Sequence, residues 1–290
     1  MEQSNREAFL KAKKILSQNK DLEFFDGEIY ALLMKANNFK SFTELIINFD
    51  KNLLNLNSFY RNLERIKNGE PLQYILEEAS FLGYELVINT DCLIPRPETE
   101  GLVLETIKII NSKNLNHKDI VDVCTGSGCI AIAMQGNFKE SNVYAIEKFQ
   151  NTFLIAQNNF KKFNMSIISL LGDKVEPLLK RNLKVDVLIS NPPYVENIND
   201  IEKKVLDYEP LHAIYIQDGT AFYENYFKHH REIMNKKFLM AFEINYDQKD
   251  KLIFLIKKYF DLDKINFYFK KDIYGLIRYL FIEGNYEWFI

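Results

Sequence analysis

Apolar positions recur at helical spacing through the first 70 residues. Ala8, Ala12, Ile15 and Leu16 follow Ser4 and Glu7, which stand at the separation of a capping box. Ile29, Leu32, Leu33 and Ala36 form a second stripe, and Ser41 with Glu44 repeats the capping signal. Leu56, Phe59, Tyr60, Leu63 and Ile66 form a third stripe, which Gly69 is placed to end. Residues 1–70 are therefore expected to be a helical bundle. The pattern then shortens. Ser80 to Ile88 reads as two strands around Gly83, within a β-hairpin linker over 71–95. Pro95 and Pro97 flank Arg96 and force an extended path, and Pro97 suits the first turn of a helix running through Leu102 to Ile110.

From residue 119 the period alternates. Strands are expected at 119–124, 142–147, 166–171, 185–190 and 237–244, with helices at 127–137, 150–163, 219–235 and 248–259. Such alternation implies an α/β fold, a mostly parallel sheet with helices on both faces. The last two strand-like segments, 262–269 and 274–283, leave no room for a crossover helix and are expected to pair antiparallel. Residues 96–290 would thus form one seven-stranded domain.

Composition narrows the function classes. The chain has 290 residues, 47% hydrophobic and 27% charged, so it can fold as a globular protein without disulfide staples. With 37 Lys+Arg against 40 Asp+Glu, the net charge is −3, which offers no basic excess for non-specific nucleic-acid binding. Cys92, Cys124 and Cys129 form no CxxC pair. The charged start lacks the apolar core of a signal peptide, and no apolar run approaches a membrane span. The expectation is a cytoplasmic protein, a monomer, with no membrane partner and no metal.

Two motifs carry chemistry. An apolar strand runs into Cys124-Thr125-Gly126-Ser127-Gly128, and a helix follows. Such a turn lets the backbone approach a ligand closely. Glu147 ends the next strand, where a carboxylate can accept both hydroxyls of an unphosphorylated ribose. Turn and acid together indicate a nucleoside cofactor and leave NAD and S-adenosylmethionine both open. The fourth strand delivers Asn191-Pro192-Pro193-Tyr194 to the same sheet edge. Its prolines stiffen the backbone, the Asn191 oxygen and the Pro192 carbonyl can accept the two hydrogens of a planar NH₂ group, and Tyr194 offers a flat face. That grip would turn the nitrogen lone pair toward an electrophile.

Asp-Val-Cys-Thr-Gly-Ser-Gly, Glu147 and Asn-Pro-Pro-Tyr, in this order, resemble class I S-adenosylmethionine-dependent methyltransferases acting on planar nitrogens. Gly69–Tyr74 (Gly-Glu-Pro-Leu-Gln-Tyr), Leu93–Glu100 (Leu-Ile-Pro-Arg-Pro-Glu-Thr-Glu), Glu209-Pro210, Asp218-Gly219 and Glu243–Gln248 narrow the resemblance to the release-factor glutamine methyltransferase family. The resemblance implies a Rossmann-like methyltransferase sheet behind an N-terminal helical domain that docks the substrate. It implies methyl transfer from S-adenosyl-L-methionine, leaving S-adenosyl-L-homocysteine, to the glutamine of the Gly-Gly-Gln motif in peptide chain release factors. Cys124, Thr125, Gly126, Ser127 and Gly128 would line the methionine part of the cofactor and Glu147 its ribose. Asp173 and Lys174 would stand on the adenine side, and Asn191 would also face the cofactor. Asn191, Pro192, Pro193 and Tyr194 would hold the glutamine amide, with Asn191, Pro192 and Tyr194 catalytic. Three positions depart from the family pattern. Cys124 replaces a glycine and is expected to fit with negative φ. Glu147 replaces aspartate. Asn245 replaces a glycine and is expected to keep a left-handed turn.

Other residues have plainer readings. His229 and His230 point different ways on a helix and are expected to be solvated or capping, as are His117 and His212. Arg96 fits either a salt bridge or a role beside the cofactor, orienting Glu98. The competing functions are methylation of an adenine amino group, a non-catalytic S-adenosylmethionine-binding module and an NAD oxidoreductase. The first lacks a visible basic groove or target-recognition region, and the second requires a damaged Asn-Pro-Pro-Tyr.

Overall fold

A computed structural model describes residues 2–19, 24–113 and 118–286. The chain divides into two compact units, Met1–Glu78 and Ala79–Ile290.

The first unit contains α1 (Asn5–Leu16), α2 (Asp26–Asn37), α3 (Phe42–Ile47), α4 (Leu56–Lys67) and α5 (Leu72–Leu76). The Ser4 hydroxyl accepts from Glu7 N at 3.2 Å, and the Glu7 carboxylate accepts from Ser4 N at 2.9 Å, so the first capping box forms in full. At Ser41 only half of it forms. The Ser41 hydroxyl accepts from Glu44 N, while the Glu44 carboxylate takes Lys40 N at 2.7 Å instead. Ala8, Ala12 and Leu16 of α1 pack with Ile29, Leu32 and Leu33 of α2 and with Phe59 and Leu63 of α4. The segment 71–95, expected as one hairpin linker, is divided. Its start forms α5, whose Ile75 belongs to the helical core, and only β1 (Glu78–Phe81) and β2 (Tyr84–Val87) make the hairpin.

The second unit continues with α6 (Pro97–Ser112), β3 (Ile120–Val123), α7 (Cys129–Asn137), β4 (Val143–Glu147), α8 (Gln150–Lys162), β5 (Ile168–Leu171), α9 (Glu176–Lys180) and β6 (Val185–Ser190). After β6 come α10 (Lys203–Tyr208), α11 (Ala221–Ile233), β7 (Met234–Glu243), α12 (Lys249–Tyr259), β8 (Ile265–Lys271) and β9 (Ile277–Asn285). The seven-stranded sheet has the order β5-β4-β3-β6-β7-β9-β8. Strands β3 to β7 pair parallel, and β9 runs antiparallel to both β7 and β8. The antiparallel ending follows from the short connection, as expected from the sequence.

Central strands buried on both faces need continuous apolar runs. Val187, Leu188 and Ile189 of β6 are fully buried. Over one face α11 and α12 bring Tyr223, Tyr226, Phe227, Leu252 and Ile256 into the core, and Tyr226 stacks on Phe242 of β7 at 5.7 Å. Where β7 and β9 pair, Phe238 lies opposite Gly284. A Cβ on Gly284 would stand 2.0 Å from the Phe238 ring. Gly284→Ala is therefore expected to destabilise the fold by about 1–3 kcal/mol through overpacking. A urea midpoint equal to that of the wild type would contradict this packing.

Candidate active site

The order of the sheet sets the site. Chain progression runs outward from β3 in one direction through β4 and β5, and in the other through β6 and β7, so a crevice opens between the carboxyl ends of β3 and β6. Both sequence motifs follow those two ends.

After β3 the backbone turns through left-handed conformations at Cys124 (φ 64°), Gly126 (φ 57°) and Gly128 (φ 85°). Cys124 thus departs from the negative φ expected of it. The tight turn imposes a geometry that favours glycine, and cysteine adopts it at a steric cost of roughly 1–2 kcal/mol. Gly128 has a second reason to be glycine, because a Cβ there would stand 2.5 Å from the Phe160 ring. Asp122, at 0% exposure, ties the turn from beneath. Its Oδ2 accepts from the Thr125 hydroxyl and, at 3.1 Å, from Ala131 N in the first turn of α7. Its Oδ1 is buried and takes no hydrogen bond among the described residues.

Above the turn lies a solvent-open cavity. Cys124, Thr125, Gly126, Ser127, Glu147, Asp173, Lys174, Asn191 and Pro193 line it. Gly128 does not, lying behind the wall against Phe160. Glu147 is 7% exposed, and backbone groups hold its carboxylate. Oε1 accepts from Lys148 N at 2.8 Å and Phe149 N at 3.0 Å, and Oε2 from Gly126 N at 3.1 Å. Burial nonetheless pushes its pKa above the ordinary value. Asp173 pairs with Lys148 and Lys174, and the Lys174 ammonium sits 4.9 Å from the centre of the Phe222 ring. Phe222 and Phe149 give the cavity two aromatic walls, and His212 packs on Phe149 at 3.7 Å. Arg96 lines the same cavity and pairs with buried Glu209, which also accepts from Ile94 N. Arg96 is therefore held by Glu209, and no contact to Glu98 accompanies it among the described residues.

The Asn191–Tyr194 tetrapeptide is fixed from behind. Asn191 Nδ2 donates to Thr99 Oγ1 at 2.9 Å, and that hydroxyl donates to Glu243 Oε2 at 2.7 Å. The Tyr194 hydroxyl donates to Glu243 Oε1 at 3.2 Å. Thr99 comes from the first turn of α6 and Glu243 from the carboxyl end of β7, so three elements converge on one carboxylate. Glu243 is 2% exposed. Burial pushes its pKa up to about 7 against the opposing pull of Thr99, Arg278 and Tyr194. Burial and the neighbouring Glu243 also push the Tyr194 phenol up, so it keeps its proton. Pro192 and Tyr194 line an adjoining cavity, which shares Leu93, Arg96, Asn191, Pro193 and Ala213 with the first one.

Thr99, Asp122 and Glu243 lie within the motifs that carry the resemblance, but the sequence assigned none of them a role. Glu243 carried a usable signal, an acid ending a strand that is otherwise apolar from Phe238. Two other expectations are corrected. Asn245 has φ −75°, not left-handed, and its N–H donates to the Gln248 side chain at 3.0 Å, so the turn needs no glycine geometry. His230 is neither solvated nor a cap. It is 3% exposed, bonded to Phe227 O at 2.7 Å and to the Tyr286 hydroxyl at 2.9 Å, and burial lowers its pKa. His229 pairs with Glu232, and His117 lies outside the described residues.

A seven-stranded sheet of this order, with a glycine turn after β3 and the Asn-Pro-Pro-Tyr loop after β6, defines a Rossmann-like methyltransferase. A family model for the methyltransferase small domain matches residues 102–208. The fold is similar to that of a methyltransferase from Pyrococcus furiosus, with TM-score 0.50 and 18% identity over 77% of this chain and 98% of that one. A release factor glutamine methyltransferase of Flavobacterium psychrophilum is 33% identical over 93% of this chain and 94% of its own. One from Mycoplasma mycoides is 33% identical over 92% and 95%, and one from Bacillus subtilis 35% identical over 76% and 77%. The chain belongs to the release factor glutamine methyltransferase family. Among the described residues no helix is long and apolar enough to cross a membrane.

The buried acids make stability depend on pH. Burial holds the Asp122 pKa at about 7 against an ordinary 3.8, and that of Glu243 at about 7 against 4.5. Between the ordinary values and about 7, the folded chain binds protons that the unfolded chain has released. Stability from these groups is therefore fully present below the ordinary values and is lost as pH rises toward and through about 7. Asp122→Asn is expected to flatten that decline in thermal midpoints measured from pH 5 to 8. A slope identical to that of the wild type would remove Asp122 from the account.

Proposed function

We propose that this enzyme transfers a methyl group from S-adenosyl-L-methionine to the side-chain amide nitrogen of the glutamine in the Gly-Gly-Gln motif of peptide chain release factors. The observation that carries the reading is the Asn191 amide, whose nitrogen is held by Thr99 so that its oxygen is left for a donor, beside a cavity that also contains the glycine turn and Glu147.

The residues present suit this cofactor. Its adenosine is uncharged and suits the Glu147 carboxylate, which keeps lone pairs for ribose hydroxyls beside its backbone bonds. The turn at Cys124–Ser127 takes the methionine part, Asp173 and Lys174 the adenine side, and Phe222 and Phe149 add apolar wall. The cofactor supplies an electrophilic methyl group on a sulfonium centre. The chain's own residues handle the acceptor. Asn191 Oδ1 and the Pro192 carbonyl accept the two amide hydrogens, which turns the nitrogen lone pair toward the methyl and favours the positive charge that develops on nitrogen. Tyr194, its hydroxyl tied to Glu243, presents its ring to the amide plane. The proton leaves to water after the nitrogen has gained its methyl, so no strong base is needed beforehand.

Docking of the release factor body is assigned to the first unit. Supporting it are the exposed apolar side chains of α3, with Phe42 at 52% and Ile47 at 72%. Such residues on a soluble surface mark interaction sites when they cluster.

Mass spectrometry of a full-length release factor incubated with enzyme and labelled cofactor is expected to find one methyl on the tripeptide glutamine. Absence of that methyl, with transfer to an adenine-containing duplex instead, would overturn the reading. Asn191→Ala is expected to lose nearly all transfer while retaining cofactor affinity. Glu147→Ala is expected to weaken cofactor binding by about 1–3 kcal/mol through lost charge-assisted hydrogen bonds. Calorimetry checks both, and an unchanged affinity in Glu147→Ala would dismiss the ribose assignment.

A further inference from the structure

We propose that Thr99, held by Glu243, is a positioning residue that decides which end of the Asn191 amide faces the acceptor, and so makes the site select a hydrogen-donating amide over a carboxylate. The inference rests on the amide-transfer reading above and adds to it the source of selectivity.

An asparagine amide has two ends of nearly equal size, one an acceptor and the other a double donor. Sterics alone do not choose between them, so the partner behind the side chain must. A threonine hydroxyl holds one proton and can also accept. An ionised carboxylate only accepts, and at pH 8 Glu243, whose pKa is pushed up to about 7, is mostly ionised. The Thr99 proton is therefore committed to Glu243 Oε2, at 2.7 Å, and Thr99 turns a lone pair toward Asn191. The only end of Asn191 that satisfies a lone pair is the NH₂ group, and Nδ2 stands 2.9 Å away. The reverse orientation would set Oδ1 against the Thr99 lone pair and expose two N–H donors to the substrate. In the observed polarity a glutamine NH₂ meets an acceptor, whereas a glutamate carboxylate meets another oxygen. The other oxygen of Glu243 takes the Tyr194 hydroxyl at 3.2 Å, so the same carboxylate fixes both ends of the tetrapeptide. Glu243 itself is anchored at the end of β7, where the Tyr223 hydroxyl donates to its backbone carbonyl at 2.7 Å. Neither Thr99 nor Glu243 needs to touch the substrate for this effect.

The test compares the full-length wild type with Thr99→Val, which keeps shape and removes the relay, and Thr99→Ser, which keeps the hydroxyl. At pH 8, Thr99→Val is expected to lower kcat about tenfold, the scale of one lost hydrogen bond. KM for release factor and the affinity for cofactor stay near wild type, and Thr99→Ser recovers most of the rate. The preference for a Gly-Gly-Gln over a Gly-Gly-Glu release factor as a competitive binder is expected to fall in Thr99→Val alone. The side-chain ¹⁵N–¹H₂ resonances of Asn191, identified by their loss in Asn191→Asp, provide a readout that needs no release factor. They are expected to shift and exchange faster in Thr99→Val and to stay in place in Thr99→Ser. Wild-type kcat in Thr99→Val, equal losses in Val and Ser, or unmoved Asn191 resonances would each overturn the proposal. A wild type that leaves release factor unmethylated, while Thr99→Val still moves the Asn191 resonances, would reject the acceptor reading and its selectivity but uphold the relay.

Discussion

A carboxylate taken out of water costs several kcal/mol unless hydrogen bonds replace its hydration. The carboxyl edge of this sheet carries three such groups, Asp122 in β3, Glu147 at the end of β4 and Glu243 at the end of β7, each below 10% exposure. Among the described residues none makes a direct cation contact. Backbone N–H groups, the Thr125 and Thr99 hydroxyls and the Tyr194 phenol compensate them instead, with Asp122 Oδ1 left without a hydrogen bond among the described residues. Satisfying each acid requires a separate segment to be in place. Asp122 needs the start of α7, Glu147 needs the turn at Gly126, and Glu243 needs both α6 and the loop after β6. Hydrogen-bonding of these buried acids thus ties together the segments that border the crevice, and the divergence of β3 and β6 supplies the space.

This dependence explains which features could be read along the chain. Helices and strands follow from periodicity, and the antiparallel ending from connection length, because both are set locally. The glycine turn, Glu147 and Asn-Pro-Pro-Tyr were legible because each is a short contiguous signal next to a strand. The Glu243–Thr99–Asn191 relay was not. Its members stand 144 and 92 residues from Thr99, and no local pattern announces that α6, β6 and β7 meet there. Cys124 failed for a related reason. Cysteine carries no turn signal, and the strand–helix turn holds it at φ 64° against the residue's own preference. Asn245 erred in the opposite sense. A residue that tolerates left-handed geometry does not require it, and the hydrogen bond to Gln248 drew it to an extended conformation. His230 shows how adjacent helical residues part. His229 faces solvent with Glu232, while its neighbour turns into the aromatic cluster of Phe260 and Tyr286.

The relay also bears on why the proposed transfer needs no general base. An amide N–H is far too weak an acid for a carboxylate with a pKa near 7 to deprotonate before bond formation, and Glu243 in any case lies behind Asn191 with both oxygens engaged. Tyr194 holds its proton and donates it to Glu243. Under the proposed assignment the groups facing the substrate nitrogen are therefore neutral acceptors, and their direction matters more than their basicity. Basicity can be tuned by one nearby charge, but direction has to be built. Here α6 contributes the hydroxyl, β7 the carboxylate and the two prolines a stiff path for the backbone between Asn191 and Tyr194. A loop able to rotate the Asn191 amide would keep every chemical group and still lose the polarity that distinguishes an amide from an acid. The stiffness of Asn-Pro-Pro-Tyr and the burial of Glu243 are on this view parts of one device, which converts the position of a single proton on Thr99 into the choice of acceptor.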